Sequence, residues 1–418
     1  MRKSADVAIL MQLNSKNYQL LYPTSIDWDA FCQYKPDVPF SDGIIDYLSA
    51  LSSSLLKDRE SRLYPDVVTF AFFCRKANLL NMKDEFATKD IRLGRGILFH
   101  IAPSNVPVNF GYSMVAGLLA GNYNIVRASS KDFPQVTLIV KHMVMIAKQC
   151  EAENSKFADV CKRIAVVRYE RTSEANTAFS SIANVRVIWG GDQTIASIRQ
   201  HPLPPRSFDV CFADRYSIAV INPDTVMSAK DDQMHKLAQN FYNDTYLFDQ
   251  NACSAPHLIF WTKGKADCQQ AKEKFWKAVH NYTKEKYLYQ DVMSVDKLTA
   301  FYKQAANMDC VKEEMEDNLI MRTQIHELPH NIDEYRCACG YFSEYDIDGL
   351  DEIASIVSVK YQTMAYHGID VEELKAFVLR NHLVGLDRIV PFGETTSFAL
   401  NWDGYNLIDT FSRRVVIG

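Results

Sequence analysis

From about residue 95 to residue 199 the chain alternates between short apolar runs and amphipathic stretches, and nothing else in it constrains the fold as much. "RGILFHIA" reads as a strand. "VNFGYSMVAGLLAG" reads as a buried helix that closes at Gly121-Asn122, a pairing suited to the left-handed residue at a helix C-terminus. "YNIVRAS" is a second strand, and residues 134–150 form a helix with apolar positions three and four apart. Then come strand "RIAVVRY", a helix over 172–183, strand "VRVIWGG" and helix "DQTIASIRQ". Strands alternating with helices of this length predict βαβ units and a mostly parallel sheet. Residues 96–126 contain no Asp, Glu, Lys or Arg, but Pro103, Pro107, four asparagines and internal glycines exclude a lipid-facing helix.

The three prolines of "HPLPPR" at 201–206 interrupt the alternation and mark the best candidate boundary. After them it restarts with strand "YSIAVI", a helix over 229–247, strand "HLIFW" and a helix over 266–284. The last stretch, "RIVPFGETTSFALNWDGYNLIDTFSRRVVIG", is turn-rich and aromatic. Residues 1–60 read as a mixed leader with short amphipathic helices, in which "ADVAILMQLN" suits a strand or a short helix. A chain of 418 residues is too long for one simple core, so two or three lobes are expected.

The net charge of −5 implies no basic face, so nucleic acid is not expected as a partner. Ten scattered cysteines and no recognisable signal segment favour free thiols in a reducing cytoplasm. Cys337 and Cys339 form a C-x-C pair near His326 and His330, but the spacing fits no common zinc pattern, and no metal is expected.

Ligands of open parallel sheets sit at the carboxyl ends of the strands. Two segments stand there. "WGGD" puts Gly190 and Gly191 at a strand end just before a helix, where backbone can approach a phosphate. "VRASSK" puts Arg127, Ser129, Ser130 and Lys131 past another strand, a cation and hydroxyl cluster suited to a phosphate or ribose. The plain alternatives are a glycine turn and a solvated strand end. A G-x-G-x-x-G fingerprint is absent. In "FDQNACSAPH", Cys253 lies between a helix and a strand, either as a small buried hydrophobe or as a nucleophile.

Taken together, "PSNVP" at 103–107, "VRAS" at 126–129, "GGDQTI" at 190–195 and "QNACS" at 250–254 follow the order and spacing of the aldehyde dehydrogenase superfamily. Over roughly residues 60–418 the chain resembles the LuxC-type acyl-CoA reductases more closely, through "YPDVVTFAFFCRKANL" and the closing aromatic segment. The resemblance implies an α/β fold of two parallel lobes with the active site between them. It implies a cofactor lobe over 1–209, a catalytic lobe over 210–385 carrying Cys253, and a segment 386–418 that packs on the active site or a dimer interface. Cys253 matches the nucleophile and Asn105 the oxyanion-stabilising asparagine. Arg127 and Ser130, with Ser129 between them, match cofactor-ribose positions, and Gly190-Gly191 match the pyrophosphate turn.

The departures refine the expectation. Cys211, in "CFADRYS", stands where hydrolytic relatives place a glutamate base, so an acyl-enzyme would be poorly hydrolysed. Near "RCACGYFSE" no counterpart of the usual nicotinamide-ribose glutamate is evident. Ser130 replaces a carboxylate that would repel a 2′-phosphate, so NADPH is the expected cofactor. His257 reads as a packed histidine or a base. The expected activity is reduction of an acyl-CoA or acylated partner protein to an aldehyde. An acyl-protein synthetase partner and a homo-oligomer are implied by the same resemblance. The rivals are an oxidising aldehyde dehydrogenase and a non-catalytic scaffold of an acyl-transfer complex.

Overall fold

The computed structural model describes residues 17–103, 105–153 and 157–418. "ADVAILMQLN" and Ser104 of "PSNVP" lie outside these. The chain divides into two compact units, Met1–Ala213 with Leu400–Gly418, and Asp214–Ala399.

The first unit is built on strands β1 (Gln19–Tyr22), β2 (Ile91–Gly94), β3 (Ile97–Ile101), β4 (Tyr123–Arg127), β5 (Ile164–Arg168), β6 (Val185–Trp189) and β7 (Phe208–Phe212). All but β2 form one sheet in the order β1-β5-β4-β3-β6-β7. Its pairings are parallel except at β1, which runs antiparallel to β5. The order turns back on itself at β3, so a switch point falls between β3 and β6, where an open α/β sheet offers its ligand crevice. Every residue of β3 and β6 is buried, as the continuous apolar runs predict for strands covered on both faces.

The polar residues inside this sheet bond to one another. His100 meets Ser113 Oγ at 2.7 Å through Nδ1 and Asn124 Oδ1 at 2.9 Å through Nε2, and Trp189 Nε1 donates to Ser113 Oγ at 3.0 Å. The predicted helix end is present: Gly121 has φ +87°, and a Cβ there would run into the Asp37 carbonyl. The leader is more substantial than short helices, because helix Asp42–Lys57 buries Ile44, Ile45, Leu48, Leu51 and Leu55.

The second unit holds β8 (Tyr216–Ile221), β9 (Pro256–Thr262), β10 (Cys310–Lys312), β11 (Met321–Ile325), β12 (Tyr341–Ile347), β13 (Tyr361–His367) and β14 (Arg388–Pro391). The order is β10-β11-β12-β9-β8-β13-β14, parallel except for β10. The strand period of two is visible in its cores: Ile259 and Trp261 enter the cluster with Phe241, Phe275 and Trp276, while Leu258 and Phe260 enter the opposite one with Tyr216 and Phe377. Glu344, fully buried, accepts from Trp261 Nε1, Trp276 Nε1 and Arg322 at 2.7–2.8 Å, so its charge is paired and bonded.

The unit boundary falls one strand after the proline-rich stretch, because β7 still pairs with β6. The closing segment is shared. Residues up to Ala399 stay with the second unit, and Leu400–Gly418 return to the first. There β15 (Asn401–Trp402) pairs with β16 (Tyr405–Asn406), and β17 (Ser412–Val415) pairs with β2.

Candidate active site

Cys253 lies just before β9, on a loop with an unusual backbone. Helix Asp231–Thr245 tightens into a 3₁₀ turn, Tyr246–Phe248, and the chain then passes through two left-handed residues, Asp249 (φ 52°) and Gln250 (φ 60°). Such angles are costly for residues with a Cβ and persist only where neighbours enforce them. Gln250 is enforced by its own side chain, which is 1% exposed. Its Nε2 donates to the carbonyls of Pro256 (2.9 Å) and Tyr341 (3.0 Å). Its Oε1 accepts from the amides of Gly340 (2.9 Å) and Tyr341 (3.2 Å). All four hydrogen-bonding positions of the amide are used. Asp249 is held by Tyr287, whose hydroxyl donates to Oδ1 at 2.6 Å, and by the Cys339 amide, which donates to its carbonyl at 3.1 Å.

The nucleophile candidate itself is half-buried and in no disulfide. Ser217, fully buried in β8, donates to the Cys253 carbonyl at 2.6 Å and accepts from the Thr363 amide at 3.2 Å. The residue is thus fixed from the backbone side.

Arg336 lies within electrostatic range of Cys253. It donates through Nη2 to both Asp214 oxygens, at 2.7 and 2.5 Å, and through Nη1 to the Arg215 carbonyl at 2.7 Å. Burial works against its charge, but the Asp214 carboxylate outweighs burial and holds its pKa above the ordinary value. His257, in β9, is buried and stacked on Tyr216 with ring centres 5.6 Å apart. Burial, then the nearby Arg336 charge, pushes it down to about 3, so it is neutral at physiological pH. This is the geometry of a packed histidine. Cys337 and Cys339 lie on the segment that braces the Asp249-Gln250 turn.

In the first unit, the other candidates gather along one sheet edge. Asn105 follows β3 and is exposed, on the loop leading to helix Asn109–Leu119. Gly190 and Gly191 follow β6, and Gly191 caps helix Asp192–Arg199. A Cβ on Gly191 would meet nothing within 4 Å, so bare backbone faces open space at a helix N-terminus beside the switch point. Arg127 ends β4, buried, with Nη2 donating to the Tyr169 carbonyl at 3.2 Å and its Nε buried without a hydrogen-bond partner. Ser129 is buried and its Oγ accepts from the Lys131 amide at 3.1 Å, while Ser130 is exposed. Open backbone, an orphaned guanidinium N–H and a hydroxyl along the carboxyl ends of β4 and β6 fit a dinucleotide. Cys211, on β7, is a half-buried thiol in contact with Arg199 Nη2 at 3.4 Å, and burial raises its pKa.

Sequence reasoning missed Gln250, Arg336 and Asp214. No pattern marks a glutamine as left-handed, and Arg336 sits in the segment whose motif departs from the family.

The model of the acyl-CoA reductase (LuxC) family matches residues 77–414. A curated relative, long-chain acyl-protein thioester reductase 2 of Photobacterium leiognathi, is 24% identical over 178 residues. That match spans 42% of this chain and 34% of the relative, about a third of its length. Among solved structures, 1-pyrroline-5-carboxylate dehydrogenase from Thermus with bound NAD aligns over 93% of this chain and 83% of its own, with a TM-score of 0.61 and 13% identity. An NAD-dependent benzaldehyde dehydrogenase from Corynebacterium glutamicum aligns over 92% and 86%, with a TM-score of 0.57 and 12% identity.

Proposed function

The chain belongs to the acyl-CoA reductase (LuxC) family and has the aldehyde dehydrogenase fold, and from that premise we propose that it reduces an acyl thioester to an aldehyde through an acyl–Cys253 intermediate. The observation that carries this reading is the loop of Cys253: a half-buried thiol on a loop clamped by Gln250 and Ser217, with the Arg336 guanidinium within electrostatic range.

The Cys253 thiolate attacks the thioester carbonyl of an acyl-CoA or of an acylated partner protein. The new C–S bond forms, the old one breaks, and the departing thiolate takes up a proton. Both are thioesters, so the exchange is close to balanced in energy. Asn105 is the proposed amide donor to the oxyanion, a contribution of about 3 kcal/mol for such a group. A nicotinamide cofactor, when bound, would supply hydride to the acyl carbon held on Cys253. Cys253 then holds a thiohemiacetal, whose collapse frees the aldehyde and returns the thiolate. Arg127, Ser129, Ser130 and the Gly190-Gly191 turn are the proposed cofactor contacts. NADPH is the proposed form, because Ser130 carries no charge to repel a 2′-phosphate.

Incubation with a mass-tagged acyl-CoA, followed by peptide mapping, tests the central step. The label is expected on Cys253 and lost in Cys253→Ala. Undiminished labelling of Cys253→Ala would overturn the assignment.

A further inference from the structure

An open cavity of about 530 Å³ lies in the first unit, lined by residues that follow β4 and by residues at and beyond the end of β5. Ser130, Arg168, Thr172 and Ser173 line it, with Asn17, Tyr18 and Gln19 at the start of β1. It stands at the carboxyl ends of two adjacent parallel strands, paired through Arg127 and Val167.

Arg127, Lys131 and Arg168 stand at or just past the ends of β4 and β5, and the structure treats them differently. Arg127 does not line the cavity: it is 8% exposed, bonded to the Tyr169 carbonyl, and its guanidinium lies 5.0 Å from the centre of the Tyr169 ring. Lys131 is exposed and not among the lining residues. Arg168, the last residue of β5, lines the cavity with a side chain 17% exposed. Its Nη1 meets Asp132 Oδ1 at 3.1 Å, but Asp132 is 82% exposed, and such a pair is weak in water. Its Nε is buried with no hydrogen-bond partner. Arg168 therefore brings to the cavity of Ser130 a guanidinium with one donor unspent and another held loosely.

We infer that Arg168, and not Lys131, is the cation that takes the cofactor's 2′-phosphate, with Ser130 as a hydroxyl donor and Asp132 as the carboxylate it leaves. The inference rests on the NADPH reading above. A guanidinium presents two parallel donors to phosphate oxygens, which a lysine ammonium does not. Glu170 and Glu174 also line the cavity, but both are exposed, where water screens their charge. Arg168 is mostly buried, where a charge acts more strongly on its neighbour.

Calorimetric titration with 2′,5′-ADP and 5′-AMP isolates the 2′-phosphate from catalysis. The full chain is expected to bind 2′,5′-ADP at least about tenfold more tightly than AMP, as one charge-assisted bond supplies. Arg168→Gln should remove about tenfold of that ratio and leave AMP affinity unchanged, while Lys131→Gln keeps the ratio. A wild-type chain without preference for 2′,5′-ADP overturns the NADPH reading itself. A wild-type preference that survives Arg168→Gln overturns only the assignment to Arg168. Should Arg168→Gln lose AMP binding as well, Asp132→Asn decides: releasing Arg168 should raise the ratio, and an unchanged ratio overturns the inference.

Discussion

Truncating Gln250 to alanine would remove a side chain that ties the turn before Cys253 to the start of β12. The amide is 1% exposed and makes four hydrogen bonds, two as donor and two as acceptor. A buried bond contributes about 0.5–1.5 kcal/mol net, and the amides of Gly340 and Tyr341 would be stranded. Because the four bonds share one group, they are not independent, and a loss of about 2–4 kcal/mol is expected for the second unit. The φ of 60° adds a separate signature. Alanine keeps the left-handed strain while glycine relieves it, so Gln250→Gly should be about 1 kcal/mol more stable than Gln250→Ala. Urea denaturation measures both differences. In parallel, labelling of Cys253 by mass-tagged acyl-CoA should slow in both variants by about 10²-fold, the effect of misplacing a reacting group by about 1 Å. A Gln250→Ala protein that unfolds within about 0.5 kcal/mol of wild type and labels at the wild-type rate would refute the clamp. Glycine no better than alanine would refute the strain argument.

Asn105→Ala should keep the fold and cofactor binding but lower steady-state turnover by about 10²–10³, the effect of losing one oxyanion donor; near-normal turnover would make Asn105 a turn residue. Asp244, buried beneath the Gly393–Thr395 turn, is raised by burial to about 6, against the amides of Gly393 and Thr395 and the Thr395 hydroxyl that donate to it. Its folded pKa exceeds the unfolded one, so its stabilising contribution is complete below about pH 4 and is lost as the pH rises through about 6. That loss amounts to about 3 kcal/mol at most. Urea midpoints at pH 4.5 and 7 should therefore differ more in wild type than in Asp244→Asn, and equal differences would refute it.

Much of the architecture was legible because both sheets are parallel and covered on both faces. Where a strand is an unbroken apolar run it was read directly, and "YSIAVI" matches β8 residue for residue, whereas polar residues interrupt β11 (MRTQI), β12 (YFSEYDI) and β13 (YQTMAYH), which were not read. Helix bounds followed from periodicity to within a few residues, as with the predicted 229–247 and the observed Asp231–Thr245. The Gly190-Gly191 turn was legible because a glycine pair marks the passage from β6 into helix Asp192–Arg199. The surroundings of Cys253 were not. Gln250 works through contacts with Gly340 and Tyr341, some ninety positions away, and its left-handed φ leaves no mark on a glutamine. Arg168 reads as the polar end of a strand until the fold sets it on the same cavity as Ser130, thirty-eight positions earlier.

The charges around Cys253 bear on which way an acyl-enzyme would be consumed. Hydrolysis needs a group that takes a proton from water near neutral pH. Among the described residues of the second unit, His257 is neutral but pushed down to about 3, far too weak a base for that work. Asp214 is held in an ion pair, both its oxygens accepting from Arg336 Nη2. In the first unit, Cys211 is a thiol whose pKa burial raises, so it remains protonated. A cation beside a thiol favours the thiolate, which is the form that attacks a thioester and also the form that leaves a thiohemiacetal. Arg336 is within electrostatic range of Cys253 while paired with Asp214, and neither His257 nor Cys211 is a base that would serve water. This supports a thioester that persists until hydride or another thiol reaches it, and it supports reduction over aldehyde oxidation as the direction of the chemistry.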